Sequence, residues 1–377
     1  MCMCMNISKC VCSVSHSCCV LLGAPFFLIP FRSILSILSN TLSSKIMEGH
    51  TILNDYTSPL PFEYIDEDDL PEFWYWGNVN GTSYLTKSLN QHLPQYCGSC
   101  WAHGAMSALA DRIKIARNAL GDEINLSVQY ILNCGTYTGG SCHGGSHSGA
   151  YEFVKKESGF VPFDTCMPYI ACSHESKEGF CAEPEVDTAC NAKNTCRTCD
   201  TFSSLGGTCA EIDLFPNATV AEYGSYGLFT RDKVHKIKAE IFARGPVAAG
   251  VHADPILDYK GGVVKDGNIL HKRVNHVVSI VGWGVEQEDD GTKTEYWIVR
   301  NSWGEYWGEM GYFRIETGKN SLGIEGAVVW ATPGSWTVKN VACFESGSNC
   351  HGGQELWGTE TYTDPSADLE LFKRRFL

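Results

Sequence analysis

The chain predicts an α+β protein of two lobes, carried by the order of its periodicities and allowed by its length. Helix-period segments come first and strand-period segments later. The 19 cysteines are unevenly spread, six in 2–19, eleven in 97–209 and two at 343 and 350, so the strand-rich stretch 210–342 has none. The length, 377 residues, suffices for one large domain or two lobes with ample core.

Composition narrows the function classes. Hydrophobic residues make up 44% and charged residues 19%, as in an ordered globular chain. The net charge of −14, from 43 acids and 29 bases, argues against nucleic acid or an anionic membrane as partner. The clustered cysteines suggest a local disulfide framework formed in an oxidising compartment.

Taken in chain order, residues 1–46 stand apart: "MCMCMNISKCVCSVSHSCC" leads into "VLLGAPFFLIPF". This apolar run is too short and too interrupted by Pro to span a bilayer. Two readings fit it. One is a signal-peptide core flanked by Lys9; the other is a start placed too early, with Met47 the initiator. Residues 47–69, "MEGHTILNDYTSPLPFEYIDEDD", carry Pro and an acidic run and predict a short extended propeptide rather than a folded unit. The aromatics of "LPEFWYWGNVNG" open the compact domain at Leu70.

In 100–117, Met106, Leu109, Ile113 and Ala116 recur at helical spacing, so this segment predicts a helix with Cys100 near its N-terminus. Further helices are expected over 126–133 and 148–157. Residues 158–215 read as loops, and 231–245 as a helix ended by Gly245-Pro246. The period then shifts to strands in "PVAAGVHA", "HVVSIVGWG", "TEYWIVRNSWG" and "MGYFRIE". The domain ends at about 332, and 333–377 form a C-terminal extension in which Cys343 and Cys350 close a small loop.

Cys100 is placed for nucleophilic chemistry. A thiol attacks as its thiolate, which a helix N-terminus and an imidazolium partner both stabilise. His276, at the start of an apolar strand, is the candidate partner. Asn301 can accept from the ring N–H and orient the imidazole, and Trp303 would shield that bond from water. Taken alone, Cys97-x-x-Cys100 also fits a redox pair or half a zinc site, as does Cys196-x-x-Cys199. His276 alone could be a core histidine, and His103 lies on the helix as a structural residue.

"CGSCWA" (97–102), "NHVVSIVGWG" (275–284) and "YWIVRNSWGEYWGEMGYFRI" (296–315) resemble the signatures of papain-like cysteine peptidases in order and separation. The resemblance implies a helical left lobe carrying the nucleophile helix, a β-barrel-like right lobe and a cleft between them. It implies no cofactor and no metal, with Cys100, His276 and Asn301 catalytic. "SCHGG" at 141–145 is similar to the family's glycine-rich substrate wall, which assigns Gly144 and Gly145 to substrate binding. It also implies disulfides Cys97–Cys142, Cys134–Cys190, Cys166–Cys196 and Cys199–Cys209, leaving Cys172–Cys181 as an extra pair.

"NQHLPQYCGSCWAH" is similar to the cathepsin Z (cathepsin X) subgroup, in which an insertion moves the oxyanion-hole Gln to nine residues before the nucleophile. That position is Gln91; position 94 is Pro. The inserted loop would cover the primed side of the cleft, with His92 reading the substrate's terminal carboxylate. The implied function is a zymogen-derived, lysosomal or secreted cysteine carboxypeptidase. It would be a monomer acting on peptides and proteins, with cystatin-like inhibitors as partners. A papain-like endopeptidase and a non-catalytic peptide-binding homologue are the rival readings.

The chain also departs from the pattern. Residues 47–69 hold no Cys to cap the nucleophile, so an inhibitory leader would have to lie in the cleft. Ala248 and Ala249 follow Gly245-Pro246-Val247 where the family has a late disulfide. The sequons at Asn80, Asn125 and Asn217 are acceptors if the chain is secreted.

Overall fold

The computed structural model describes residues 54–200, 207–227, 229–288, 290–348 and 357–377. The chain divides into Met1–Ser43 and Ser44–Leu377, and every described residue belongs to the second unit. The expected signal-like segment and residue 350 lie outside the described residues.

Among the described residues there are five α-helices and fourteen strands. The helices are α1 (Cys100–Ala116), α2 (Val128–Cys134), α3 (His147–Glu152), α4 (Lys233–Arg244) and α5 (Leu369–Phe376). Four short strands come early: β1 (Trp74–Tyr75), β2 (Gly140–Ser141), β3 (Gly144–Gly145) and β4 (Val161–Pro162). Next come β5 (Arg197–Cys199), β6 (Cys209–Glu211), β7 (Asn217–Gly227), β8 (Val247–Val251), β9 (Val263–Val264) and β10 (His276–Gln287). The last are β11 (Lys293–Arg300), β12 (Tyr312–Glu316), β13 (Ala327–Lys339) and β14 (Gly358–Thr361). The large sheet runs β4-β7-β13-β8-β10-β11-β12-β9, with β1 added to β10 and β14 to β13.

Two cores form, one per lobe. The first gathers α1, α2 and α3 around Trp101, Leu109, Ile131 and Tyr151. The second packs α4 and α5 against the sheet through Trp76, Phe242, Trp283, Trp297 and Phe313. Helix α1 is buried on almost every face, as expected of a helix wedged between lobes rather than lying on a surface. It lies close to the sheet at Gly104, where a Cβ would come 2.9 Å from a Val277 methyl and 3.2 Å from the Val278 carbonyl oxygen. This contact sets β10 directly against the first turns of α1.

Two buried ion pairs tie α1 to the other lobe. Asp111 Oδ2 meets Arg300 Nη2 at 2.5 Å, and Arg112 Nη1 meets Glu240 Oε1 at 2.8 Å. Losing one partner of such a pair strands a buried charge, so together they specify how α1 sits against β11 and α4.

The leader does not run free as its composition suggests. Residues 61–63 and 67–69 form 3₁₀ turns, and Leu60 and Ile65 are buried in the sheet-side core. Asp55 pairs with Tyr223 of β7 through both backbone bonds (2.9 and 3.1 Å), and Glu222 accepts from Thr57 and Ser58. His235 and Arg244 of α4 donate to the Ile65 and Pro59 carbonyls. The described leader therefore runs along β7, α4 and the C-terminal helix rather than in the cleft.

The tail is built into the second lobe. β13 runs through residue 333 without a break and receives β14 as an added strand. Asp368 caps α5 by accepting from the Leu371 N–H (3.0 Å), with Glu370 in the first turn and Lys373, Arg374 and Arg375 in the last, as the helix dipole favours. Phe372 and Phe376, four apart on one face, are buried against Phe242, Trp76 and Tyr84. Ala249 and Ala248, flagged for the missing disulfide, face Val328 and Val329 across the sheet.

Candidate active site

Cys100 is the first residue of α1, with Ser99 as its N-cap, and it is buried and outside any disulfide. The helix N-terminus turns unsatisfied N–H groups toward the sulfur, favouring the thiolate. Cys97 instead joins Cys142, so the two cysteines of the CxxC motif have different fates. Further disulfides join Cys134–Cys190, Cys166–Cys196, Cys172–Cys181 and Cys199–Cys209. Cys196 and Cys199, a zinc half-site by spacing alone, are both taken up in these bonds.

His276 opens β10. Val277, the next residue, packs on Gly104, one helical turn after Cys100. The same packing contact thus brings His276 and Cys100 to one end of α1. The ring's Nε2 lies 2.7 Å from Asn301 Oδ1. That oxygen also accepts from the Ser302 N–H at 2.8 Å, which fixes the carboxamide with its oxygen toward the ring. Nε2 therefore carries the proton, and Nδ1 is the nitrogen for the thiol. Trp303, nearly buried, stacks on the His276 ring at 4.8 Å and 29°, covering this hydrogen bond from one face.

Gln91 is fully buried, and three of its hydrogen bonds run to Ser302 and Cys97. Its N–H donates to the Ser302 carbonyl (2.8 Å), its Oε1 accepts from Ser302 Oγ (2.7 Å) and its Nε2 donates to the Cys97 carbonyl (2.9 Å). An amide nitrogen has two hydrogens, so one remains for an oxyanion beside the Cys100 N–H. Ser302 was not singled out in the sequence, yet it touches both Asn301 and Gln91. The signal for it was its place inside the Asn-Ser-Trp motif. Tyr169, also missed, donates to the Gln91 carbonyl and bonds Ser99 Oγ, both at 2.7 Å.

The segment 92–96 is tethered at both ends, by Gln91 to Ser302 and by Cys97 to Cys142. Leu93 and Tyr96 stand exposed. His92 stacks on Tyr96 at 5.1 Å and faces Trp303 at 6.2 Å. Tyr96, His92, Trp303 and His276 thus form one column of rings, which runs from the loop to the catalytic candidates.

Gly144 and Gly145 pair with Ser141 and Gly140 in a two-stranded ribbon. Trp101 Nε1 donates to the Ser141 carbonyl at 3.1 Å, and a Cβ on Gly145 would come 2.5 Å from the Trp101 ring. Glycine is needed there for the ribbon to lie on α1. His103 stays neutral: burial lowers its pKa to about 4, while its Nδ1 meets the Ser99 carbonyl at 3.1 Å. The sequon amides of Asn80, Asn125 and Asn217 donate to Phe376, Glu123 and Phe215.

A thiol at a helix N-terminus, an oriented imidazole and a buried amide donor together can carry out acyl transfer through a thioester. Comparison with known proteins agrees. Residues 70–332 match the model of the papain family of cysteine proteases. Cathepsin Z of Onchocerca volvulus is 39% identical over 71% of this chain and 79% of its own length. Cathepsin B-like cysteine proteinase 6 of Caenorhabditis elegans is 33% identical over 63% of this chain and 60% of its own length. Among solved structures, digestive procathepsin L2 proteinase of the Tenebrio molitor larval midgut superposes with a TM-score of 0.50, at 25% identity, over 70% of this chain and 68% of that one. The α+β fold, the three motifs and the cleft residues all lead to one conclusion: the chain belongs to the papain family of cysteine proteases.

Proposed function

We propose that this cysteine peptidase is a carboxypeptidase that removes single residues from peptide and protein C-termini. The supporting observation is the tethered loop 92–96. It begins at Gln91, and its His92 lies in the ring column that leads to His276. A loop fixed there obstructs the groove beyond the first primed residue, and a protonated imidazole on it pairs with a free terminal carboxylate.

In the proposed reaction the Cys100 thiolate attacks the scissile carbonyl. Gln91 Nε2 and the Cys100 N–H hold the oxyanion, with Gly144 and Gly145 along the substrate. The imidazolium of His276 gives its proton to the leaving amine as the C–N bond breaks, leaving a thioester. Water then loses a proton to His276, attacks the thioester and releases the acid, restoring the thiolate. The protein would be made as a monomeric zymogen in an oxidising compartment and act in the lysosome or outside the cell, with cystatin-like inhibitors as natural partners. Among the described residues no helix is long and apolar enough to cross a membrane.

The test is His92→Ala. Release of single C-terminal residues should fall at least tenfold relative to hydrolysis of a C-terminally blocked peptide. An unchanged ratio removes the assigned role.

A further inference from the structure

The Cys172–Cys181 disulfide closes a loop that the proposed reaction does not use. The base of this loop is fixed in the first lobe. Gln129 of α2, fully buried, accepts from the Ile170 N–H on Oε1 (3.0 Å) and donates from Nε2 to the Cys172 carbonyl (2.7 Å). Ser173 Oγ accepts from the Cys142 N–H at 3.1 Å, and Ala171, Cys172 and Ser173 are all buried. Helix α2 and the turn between β2 and β3 thus hold one end of the loop.

The other end meets the segment 92–96. Gln95 Nε2 donates to Cys181 Sγ at 3.0 Å. The oxygen of the same amide lies against Gly179, where a Cβ would come 2.6 Å from Gln95 Oε1. Gly179 has a φ of +56°, in the left-handed region that glycine adopts without cost. The turn at 179 therefore leaves room for the Gln95 amide that a side chain would take. Tyr96, the residue after Gln95, stacks on His92 at 5.1 Å. The placement of Gln95 thus bears on His92 through one ring contact.

We infer that the loop 172–181 is a specificity brace, which holds the segment 92–96 in place through Gln95 and so sets the balance between terminal and internal cleavage. A segment tethered only at Gln91 and Cys97 is free to bow outward, and a contact between those tethers, made from a buried base, removes that freedom. A peptide that continues past the first primed residue has to push the segment aside, which the brace opposes. A peptide that ends there does not. Gln95 touches no reacting atom and is a positioning residue. A disulfide sulfur is a weak acceptor, so the contact shifts the balance by a small factor. The inference rests on the carboxypeptidase reading above.

The test sets Gln95→Ala and Gly179→Ala, which break the contact from opposite sides, against the parent enzyme as full chains. In hydrogen exchange the amides of 92–96 should lose protection in both variants, with those of α1 unchanged. On one peptide followed by mass spectrometry, the ratio of internal cuts to single C-terminal losses should rise at least about threefold, the low end of one hydrogen bond. The double variant should go no further than the stronger single variant, because both remove the same contact. Unchanged protection of 92–96 overturns the brace. Lost protection with an unchanged cleavage ratio, whatever happens to total activity, overturns its role in specificity. A parent enzyme that makes internal cuts as fast as terminal ones overturns the carboxypeptidase reading and that role with it, while the exchange result still decides whether the brace exists.

Discussion

The Ser302 hydroxyl donates to the Gln91 side-chain carbonyl over 2.7 Å, and the Ser302 backbone N–H donates to Asn301 Oδ1 over 2.8 Å. One residue thus fixes both the buried Gln91 amide and the Asn301 amide that meets the His276 ring. Ser302 touches no reacting atom, so it is a positioning residue. Ser302→Ala should lower kcat about tenfold with KM nearly unchanged, because a misaimed donor weakens the transition state more than substrate binding. Ser302→Thr, which keeps the hydroxyl, should recover most of the loss. Equal defects in both variants would show that the hydroxyl is not what matters.

Asn301 holds the tautomer of His276. Asn301→Ala should reduce kcat/KM about ten- to a hundredfold, or about 1.4–2.7 kcal/mol, with little change in thermal stability. Steady-state hydrolysis of a fluorogenic peptide checks this. Activity within twofold of the parent enzyme would mean that Trp303 stacking alone orients the ring.

Acid should loosen the leader. Lys155 holds the Asp55 carboxyl below its ordinary range, and Lys373 does the same for Asp69. Burial would raise Glu222, but the donors of Thr57 and Ser58 outweigh it and keep it low. A carboxyl depressed by attachment strengthens that attachment above its free pKa and loses the contribution as pH falls through the depressed value. Protection of residues 54–69 in hydrogen exchange should therefore drop below about pH 4, where free carboxyls begin to protonate. Constant protection down to about pH 3 would show that Leu60 and Ile65 hold the leader without the carboxylates.

The C-terminal helix should be part of the folded body. Phe372 is 1% exposed and meets Phe242 at a ring distance of 5.1 Å. Phe372→Ala should cost about 3–5 kcal/mol, read by denaturant unfolding. A loss under about 1 kcal/mol would mean that α5 docks only loosely.

Sequence periodicity located the elements that position the site. Helices α1 and α4 and strands β8, β10, β11 and β12 fall where apolar spacing and apolar runs place them. Strand β7 lies just beyond the loop-rich stretch 158–215, in residues to which no element was assigned. Its alternation (Ala218, Val220, Tyr223, Tyr226) is broken between Val220 and Tyr223, where the register with β13 shifts, and it is fixed by pairing with β13, far away in sequence. Helix α5 spans two turns, too few for a convincing period, and only its two phenylalanines mark the buried face. At the site, Cys100, His276 and Asn301 were legible because each sits inside a long motif. Ser302 and Tyr169 were not, because their roles arise from three-dimensional contacts to Gln91. The leader misled for a related reason: its Pro and acidic residues look unstructured until β7, α4 and Lys373 supply partners.

The central claim is that the loop from Gln91 to Cys97 makes this peptidase cut from the C-terminus. The direct test is a mass-spectrometric time course on one peptide, supplied with a free C-terminal carboxylate and as its C-terminal amide. The free acid should lose single residues from its end, with the amide cleaved at least tenfold more slowly. Internal cuts of both peptides at equal rates would contradict the claim and leave an endopeptidase.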